Sequence, residues 1–172
     1  MTVVGAADRP APPEARFHAL FARHYPAVFG YALRRVGREE AGDATAEVFT
    51  VAWRRIERVP AEPETLPWLY GVARRVVANQ ERSVRRRLRL EARAAVAPGA
   101  AVEAPGPAAL DVEAALTRLG SADREVLRLA AWEELQPAEI AAVLGCSANA
   151  AAVRLHRARQ RLAGVMTREV PS

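Results

Sequence analysis

The chain has 172 residues, 51% of them hydrophobic and 26% charged, a balance that suits one ordinary soluble domain or two small ones. The formal charge of +5 comes from 25 basic residues, all arginine, and such an excess favours a polyanionic partner such as nucleic acid or an anionic membrane surface. The longest stretch free of Asp, Glu and Arg, Ile140 to Val153, is 14 residues long and holds Gly145, Ser147 and Asn149, so no bilayer-spanning segment is expected.

The opening "MTVVGAADRPAPPEAR" has neither a basic n-region nor an apolar h-region, so a leader peptide is not expected and a cytoplasmic location is. Cys146 stands alone and forms no internal disulfide, and sits as an inert small residue in a turn. His18, His24 and His156 lack metal-ligand spacing; no metal or other cofactor is expected. The absence of lysine is compatible with bidentate contacts to phosphate and guanine, but a GC-rich genome is the better explanation of it.

Residues 1–13, rich in Ala and Pro, read as a loose tail. From 14 to 93 the apolar spacing is helical throughout. Phe17, Leu20, Phe21 and His24 share one face, and Pro26 is expected to restart the helix, since proline suits a first turn better than a helix interior. After Gly37, a helix from about Arg38 to Glu57 turns Ala41, Ala44, Val48, Ala52 and Ile56 inward. Its other side carries Glu39, Asp43 and Glu47. Like charges at i,i+4 weaken a helix by a few tenths of a kcal/mol; the stripe is either a solvated face or a docking surface.

A three-proline loop, "RVPAEPETLPW", precedes a helix from about Leu66 to Leu90, with Thr65 as N-cap and Leu69, Val72, Ala73, Val76, Gln80 and Val84 inward. Its outer face is a basic rail of Arg75, Asn79, Arg82, Arg86 and Arg89, with Trp68 and Tyr70 at its head. Cations beside aromatic rings suit a phosphate backbone with unstacked bases; the plain alternatives are a solvated basic face and a core tryptophan.

Residues 94–109, "AAVAPGAAVEAPGPAA", lose all apolar period and read as a flexible linker. It divides the charge unevenly: residues 14–93 hold 16 Arg against 10 acids, residues 110–172 hold 8 against 8. The second half, 110–168, reads as four short helices. "LDVEAALTRL" stops at Gly120 as a left-handed cap. "SADREVLRLAAWEEL" starts with Ser121 as N-cap and buries Val126, Leu129, Ala130 and either Leu135 or Trp132. "QPAEIAAVL" closes at Gly145, and a final helix starts after Ser147 and runs to about Val165. The last two, joined by "GCS", have helix-turn-helix dimensions. Ala151, Leu155, Ala158 and Leu162 form the inward seam, which leaves Asn149, Ala152, Val153, Arg154, His156, Arg157, Arg159 and Arg161 outside. Such pairs of helices also occur in ordinary bundles.

Taken together, "FHALFARHYPAVFGYALRRVG", "DATAEVFTVAWRR", "LPWLYGVARRVVANQERSVRRR" and "LTRLGSADREVLRLAAWEELQPAEIAAVLGCSANAAAVRLHRARQRL" resemble, in order, regions 2 and 4 of a bacterial sigma factor of the extracytoplasmic-function (ECF) type. The resemblance implies an all-α chain of two small helical domains, a region 2 bundle and a region 4 helix-turn-helix, joined by a flexible linker. It implies core RNA polymerase as partner, with Asp43 and Glu47 on the clamp helices of the largest subunit and region 4 meeting the flap. Promoter DNA is the second implied partner. Trp68, Arg75, Asn79, Arg82 and Arg86 would face the single-stranded minus-ten element. Asn149, Val153, Arg154, His156, Arg157 and Arg159 would face the double-stranded minus-thirty-five element. A cognate anti-sigma factor is implied as well, and no membrane insertion.

The chain departs from the family pattern at Gly42, Ala46, Arg75, Ala152 and the Asn149–Ala151 stretch. Base reading then shifts toward Val153, His156 and Arg157, and Arg154 and Arg159 toward phosphates. The resemblance implies a non-enzymatic initiation factor, and no nucleophile with base and orienter, and no Gly-rich phosphate loop, is visible. The competing class is a stand-alone helix-turn-helix regulator, or a sigma-like protein that binds polymerase without directing initiation.

Overall fold

A computed structural model describes residues 11–92 and 107–167. They form seven α-helices: α1 (Pro13–Val36), α2 (Arg38–Arg54), α3 (Thr65–Ala92), α4 (Pro107–Thr117), α5 (Ser121–Ala131), α6 (Pro137–Leu144) and α7 (Ala148–Thr167), with one 3-10 turn at Ile56–Arg58. There is no strand among the described residues. Residues 1–10 and 93–106, which contain most of the expected tail and linker, lie outside them. The last three residues of the expected linker, 107–109, belong to α4 instead, with Pro107 at the helical start that its fixed φ favours.

α1 runs through Pro26 without a break, against the expected restart. Proline removes one backbone hydrogen bond, but Pro26 lies on the exposed side of the helix. Leu20 and His24 before it and Val28, Tyr31 and Ala32 after it are all buried on one side, so tertiary burial outweighs the local cost. Gly37, at φ +83°, ends the helix with a conformation that L side chains resist.

α1, α2 and α3 pack on one another as a bundle. Ala41, Ala44 and Ala52 are almost fully buried on α2, and side chains this small let the neighbouring helices approach closely. Phe17, Phe21, Tyr25 and Phe29 of α1 make a ladder of ring contacts backed by Phe49 and Trp53 of α2. The loop before α3 is tied down from α1. Arg16 donates to Glu57 at 2.9 Å and to the Ile56 carbonyl at 3.0 Å, and His24 Nε2 lies 2.7 Å from Glu62 Oε1. Thr65 is not an N-cap; its hydroxyl donates to the Pro60 carbonyl at 2.8 Å and closes the loop instead.

The second bundle holds α7 against α4, α5 and α6. Two expected caps are replaced. Gly120 has φ −58° and is not left-handed, and Ser121 lies inside α5 without a side-chain cap. Arg124 does the terminating work: it donates to the carbonyls of Leu116 (3.0 Å), Thr117 (2.9 Å) and Leu119 (3.1 Å), at and just past the end of α4. Leu135 is buried and Trp132 is exposed, which decides between the two.

The two bundles share one continuous apolar core, with α3 laid on α6. At the contact Gly71 faces the Val143 backbone, so the two helices meet without a side chain between them. Beside it lies a buried ionic cluster. Arg35 of α1, 4% exposed, sits between Glu125 (3.0 Å) and Glu133 (3.0 Å), whose side chain is 0% exposed. Tyr31 donates to Glu125 at 2.8 Å, and Arg34 reaches Glu133 at 2.8 Å. The Arg35 guanidinium also lies 3.5 Å over the Tyr31 ring. Burial opposes its charge, but Tyr31, Glu125 and Glu133 outweigh burial, and its pKa is raised. Burial raises the Tyr31 phenol as well, partly countered by Arg35.

Candidate nucleic-acid interface

The local sequence builds the α6–α7 pair. Gln136 and Glu139 form a capping box at the start of α6, the Gln136 N–H donating to Glu139 Oε2 at 2.8 Å. Gly145, at φ +67°, stops that helix in the left-handed region. Ser147 Oγ then accepts the Ala150 N–H at 3.2 Å and starts α7. The chain turns by 102° between the two helices, within the range of about 90–120° that a helix-turn-helix uses.

Ala151, Leu155 and Ala158 are buried and Leu162 is partly buried, so the inward seam stands as expected. Asn149, Val153, Arg154, His156, Arg157 and Arg159 are all exposed. Val153 is 39% exposed among arginines, an apolar surface of the kind that meets a thymine methyl. Arg161 is drawn off this face: it donates to both Asp123 oxygens, at 2.8 and 2.6 Å.

On α3 the period that buries Leu69, Val72, Ala73 and Val76 leaves Arg74, Arg75, Asn79, Arg82 and Arg86 exposed. Asn79 Oδ1 accepts from Arg82. Gln80, expected inside, is half-buried. The side chains of Val84 and Arg89 lie outside the described residues. The aromatic head of the rail is corrected. Tyr70 is 3% exposed, its ring stacked at 5.2 Å on that of Tyr31 of α1, and Trp68 packs half-buried against the core. Burial, then the nearby Glu133 carboxylate, push the Tyr70 phenol up to about 12.

The acidic stripe of α2 is on the surface. Glu39, Asp43 and Glu47 are exposed, and among the described residues neither Asp43 nor Glu47 has an ion-pair partner. Arg75, Asn79 and Arg82 of α3 and Arg154 of α7 line one cleft of about 1220 Å³, with Arg35, Arg124 and Arg128 further in. The other residues expected at the DNA faces, Trp68, Arg86, Asn149, Val153, His156, Arg157 and Arg159, do not line it, and neither do Asp43 and Glu47. Tyr31, Arg35, Glu125 and Glu133 were not foreseen; their only sequence signal is that Tyr31 falls on the inward side of α1. No group of three His, Cys, Asp or Glu suited to a metal occurs among the described residues. Among them no single helix is long and apolar enough to cross a membrane.

An acid-striped, arginine-railed bundle followed by a helix-turn-helix defines a two-part helical protein of the transcription-factor class. The sigma-70 region 2 family model matches residues 20–87, and the sigma-70 region 4 model matches residues 109–162. The chain belongs to the sigma-70 family of RNA polymerase sigma factors, in the two-region form of the ECF type. A probable RNA polymerase sigma factor, RfaY, of Xanthomonas campestris pv. campestris is 36% identical over 126 residues, covering 68% of this chain. The match spans 32% of that relative's length.

Among solved structures, the sigma factor RpoE bound to the anti-sigma factor NepR from Bartonella quintana superposes with a TM-score of 0.68 at 20% identity. That match covers 90% of this chain and 98% of the other. CnrH, in complex with the cytosolic domain of CnrY, gives 0.65 at 25% identity, with 91% of each chain covered.

Proposed function

We propose that the chain is a transcription initiation factor. It docks on core RNA polymerase, directs it to a set of promoters and opens the minus-ten region, with no catalytic group of its own. The observation that carries the reading is the succession of a region 2 and a region 4 match along one chain, each with a charged face left free on its surface. It acts in the cytoplasm.

Asp43 and Glu47 are the docking pair for the clamp helices. The i,i+4 repulsion that they cost α2 is relieved when basic groups face them. Arg75, Asn79, Arg82 and Arg86, with Trp68 at the base of the rail, hold the non-template strand. Unstacking a base costs a few kcal/mol, which phosphate contacts and a base pocket offset. Asn149, Val153, Arg154, His156, Arg157 and Arg159 enter the major groove of the minus-thirty-five element, while region 4 also meets the polymerase flap. The small side chains of Ala148, Ala150 and Ala152 let the start of α7 approach base edges closely. The neighbours RpoE and CnrH occur in complexes with NepR and CnrY, which supports a cognate anti-sigma factor here.

Run-off transcription with purified core polymerase, on promoters selected from random DNA by the reconstituted holoenzyme, tests the proposal. A new promoter-specific transcript is expected. Binding to DNA without such a transcript identifies a stand-alone regulator, and binding to polymerase without one identifies a sigma-like protein outside initiation.

Two substitutions separate the DNA faces. Arg157→Ala relaxes base preference at one promoter position, at a cost of about 1–3 kcal/mol, read from selected-site sequences. Arg82→Ala leaves base preference unchanged, weakens opening and lowers the salt slope of binding by about 1, read by permanganate footprinting and a salt titration. Footprints and slopes equal to the parent's would remove these assignments.

A further inference from the structure

The cleft of about 1220 Å³ carries more positive charge than its own acids balance: seven arginines and four carboxylates line it. The inner arginines are engaged. Arg35 is held by Glu125 and Glu133, Arg124 by the carbonyls at the end of α4, and Arg128 by Glu113. Two of the four carboxylates are engaged as well, Glu125 by Arg35 and Tyr31, and Asp123 by Arg161; Glu40 and Glu81 are the other two. Arg74, Arg75 and Arg154 are exposed and have no carboxylate partner among the described residues, and Arg82 bonds only the neutral Asn79. Four guanidinium groups lining one space repel one another, and an anion of several charges relieves that repulsion.

The placement of these groups suits a chain of phosphates better than a single one. Arg75 and Arg82, seven residues apart, stand on one line of α3 with two helical turns, ~10 Å, between them. Arg154 comes from α7. Each fork takes phosphate oxygens in pairs, so successive phosphates are needed to meet them all. The first turn of α5 opens on the same space. Ser121 and Ala122 line it and no side chain caps that helix, so its backbone N–H groups are further donors for an anion.

Two polar atoms in the walls, Arg128 Nε and Gln80 Oε1, are buried without a hydrogen-bond partner. The first requires an acceptor and the second a donor, and a phosphorylated ligand with hydroxyl groups carries both. Val36, Val77, Ala78 and Leu144 give the cleft an apolar part. We infer that this cleft binds a linear polyphosphate, the group carried by nucleoside triphosphates and by inorganic polyphosphate, with Arg74, Arg75, Arg82 and Arg154 on its phosphates.

Isothermal titration calorimetry of the full-length chain tests the site, with ATP, inorganic tripolyphosphate and AMP as probes and without magnesium, polymerase or DNA. One ATP or tripolyphosphate per chain is expected, with AMP at least tenfold weaker, since it offers a single phosphate to four forks. ATP tighter than tripolyphosphate assigns the site to nucleotides; ATP no tighter assigns it to the phosphate chain alone. Arg74→Gln and Arg154→Gln, one from each helix, are each expected to weaken ATP about tenfold, the loss of one charged hydrogen-bonding group. Arg58→Gln removes the same charge from an exposed position outside the cleft and is expected to change affinity by less than about twofold. Glu40→Gln is expected to tighten binding.

No binding, binding that does not saturate at one per chain, or an equal loss in all three arginine variants overturns the site, the last because the attraction is then diffuse surface charge. Circular dichroism reads helix content, and if Arg154→Gln loses it, Arg74→Gln decides against Arg58→Gln. Arg75 and Arg82 also belong to the rail proposed above, so ATP is expected to displace a labelled single DNA strand from the chain. Saturable ATP binding without displacement leaves the site standing and removes the rail.

Discussion

Replacing Asp43 and Glu47 together with alanine is expected to abolish co-purification with core polymerase and, with it, run-off transcription, while the chain stays folded. Both side chains are exposed on α2 and have no ion-pair partner among the described residues, so nothing in the fold depends on their charge. Removing them also relieves an i,i+4 repulsion worth a few tenths of a kcal/mol, so the melting temperature should hold or rise slightly. In a docked complex the same carboxylates face cationic groups and lose water, and truncating such pairs costs about 2–5 kcal/mol. A combined loss of about 3 kcal/mol is roughly a hundredfold in Kd. Polymerase pull-down and a thermal melt of the double variant read both halves of this expectation. Undiminished pull-down would reduce the stripe to a solvated face.

The largest stability effect is expected from Leu129→Ala. Leu129 is 0% exposed on α5, the helix against which α7 packs. A buried leucine cut to alanine costs about 2–5 kcal/mol, with the cavity that remains setting the exact figure. In a chain of this size that lowers Tm by roughly 5–15 °C. The loss is directional in its consequences: α7 is held by Ala151, Leu155 and Ala158 against α5 and α6, so the recognition helix loosens first. Hydrogen exchange should show faster amides in α5–α7 than in α1–α3, and duplex binding should fall in step with the lost protection. Uniform acceleration across all helices would mean that the two bundles unfold as one unit, coupled through the α3–α6 contact.

Much of the architecture was legible in the local pattern, and the misses have physical causes. The α6–α7 pair was read correctly because each of its signals lies within a few residues: Pro137 at a helix start, Gly145 at its stop, Ser147 before the next helix, and a seam at Ala151, Leu155 and Ala158. Pro26 was read wrongly because the burial that carries α1 through it comes from packing against α2 and α3, which the local pattern around a proline does not show. Gly120 looked like a cap because glycine often is one, yet the end of α4 is satisfied by Arg124 from the next helix. Tyr70 looked like a surface ring at the head of a basic rail, and its stacking on the Tyr31 ring of α1 places it in the core.

By itself the sequence determined an all-helical chain in two parts, with an acidic stripe on α2, a basic rail on α3 and an arginine-rich helix after a tight turn. Helical period and caps are short-range physics, and they write themselves into neighbouring residues. Tertiary structure alone decided that the two parts share a core and that the Arg35 side chain is buried. Arg35 meets Glu125 and Glu133 across sequence separations of 90 and 98 residues, and no local periodicity distinguishes a charge bound for such a contact from one bound for water.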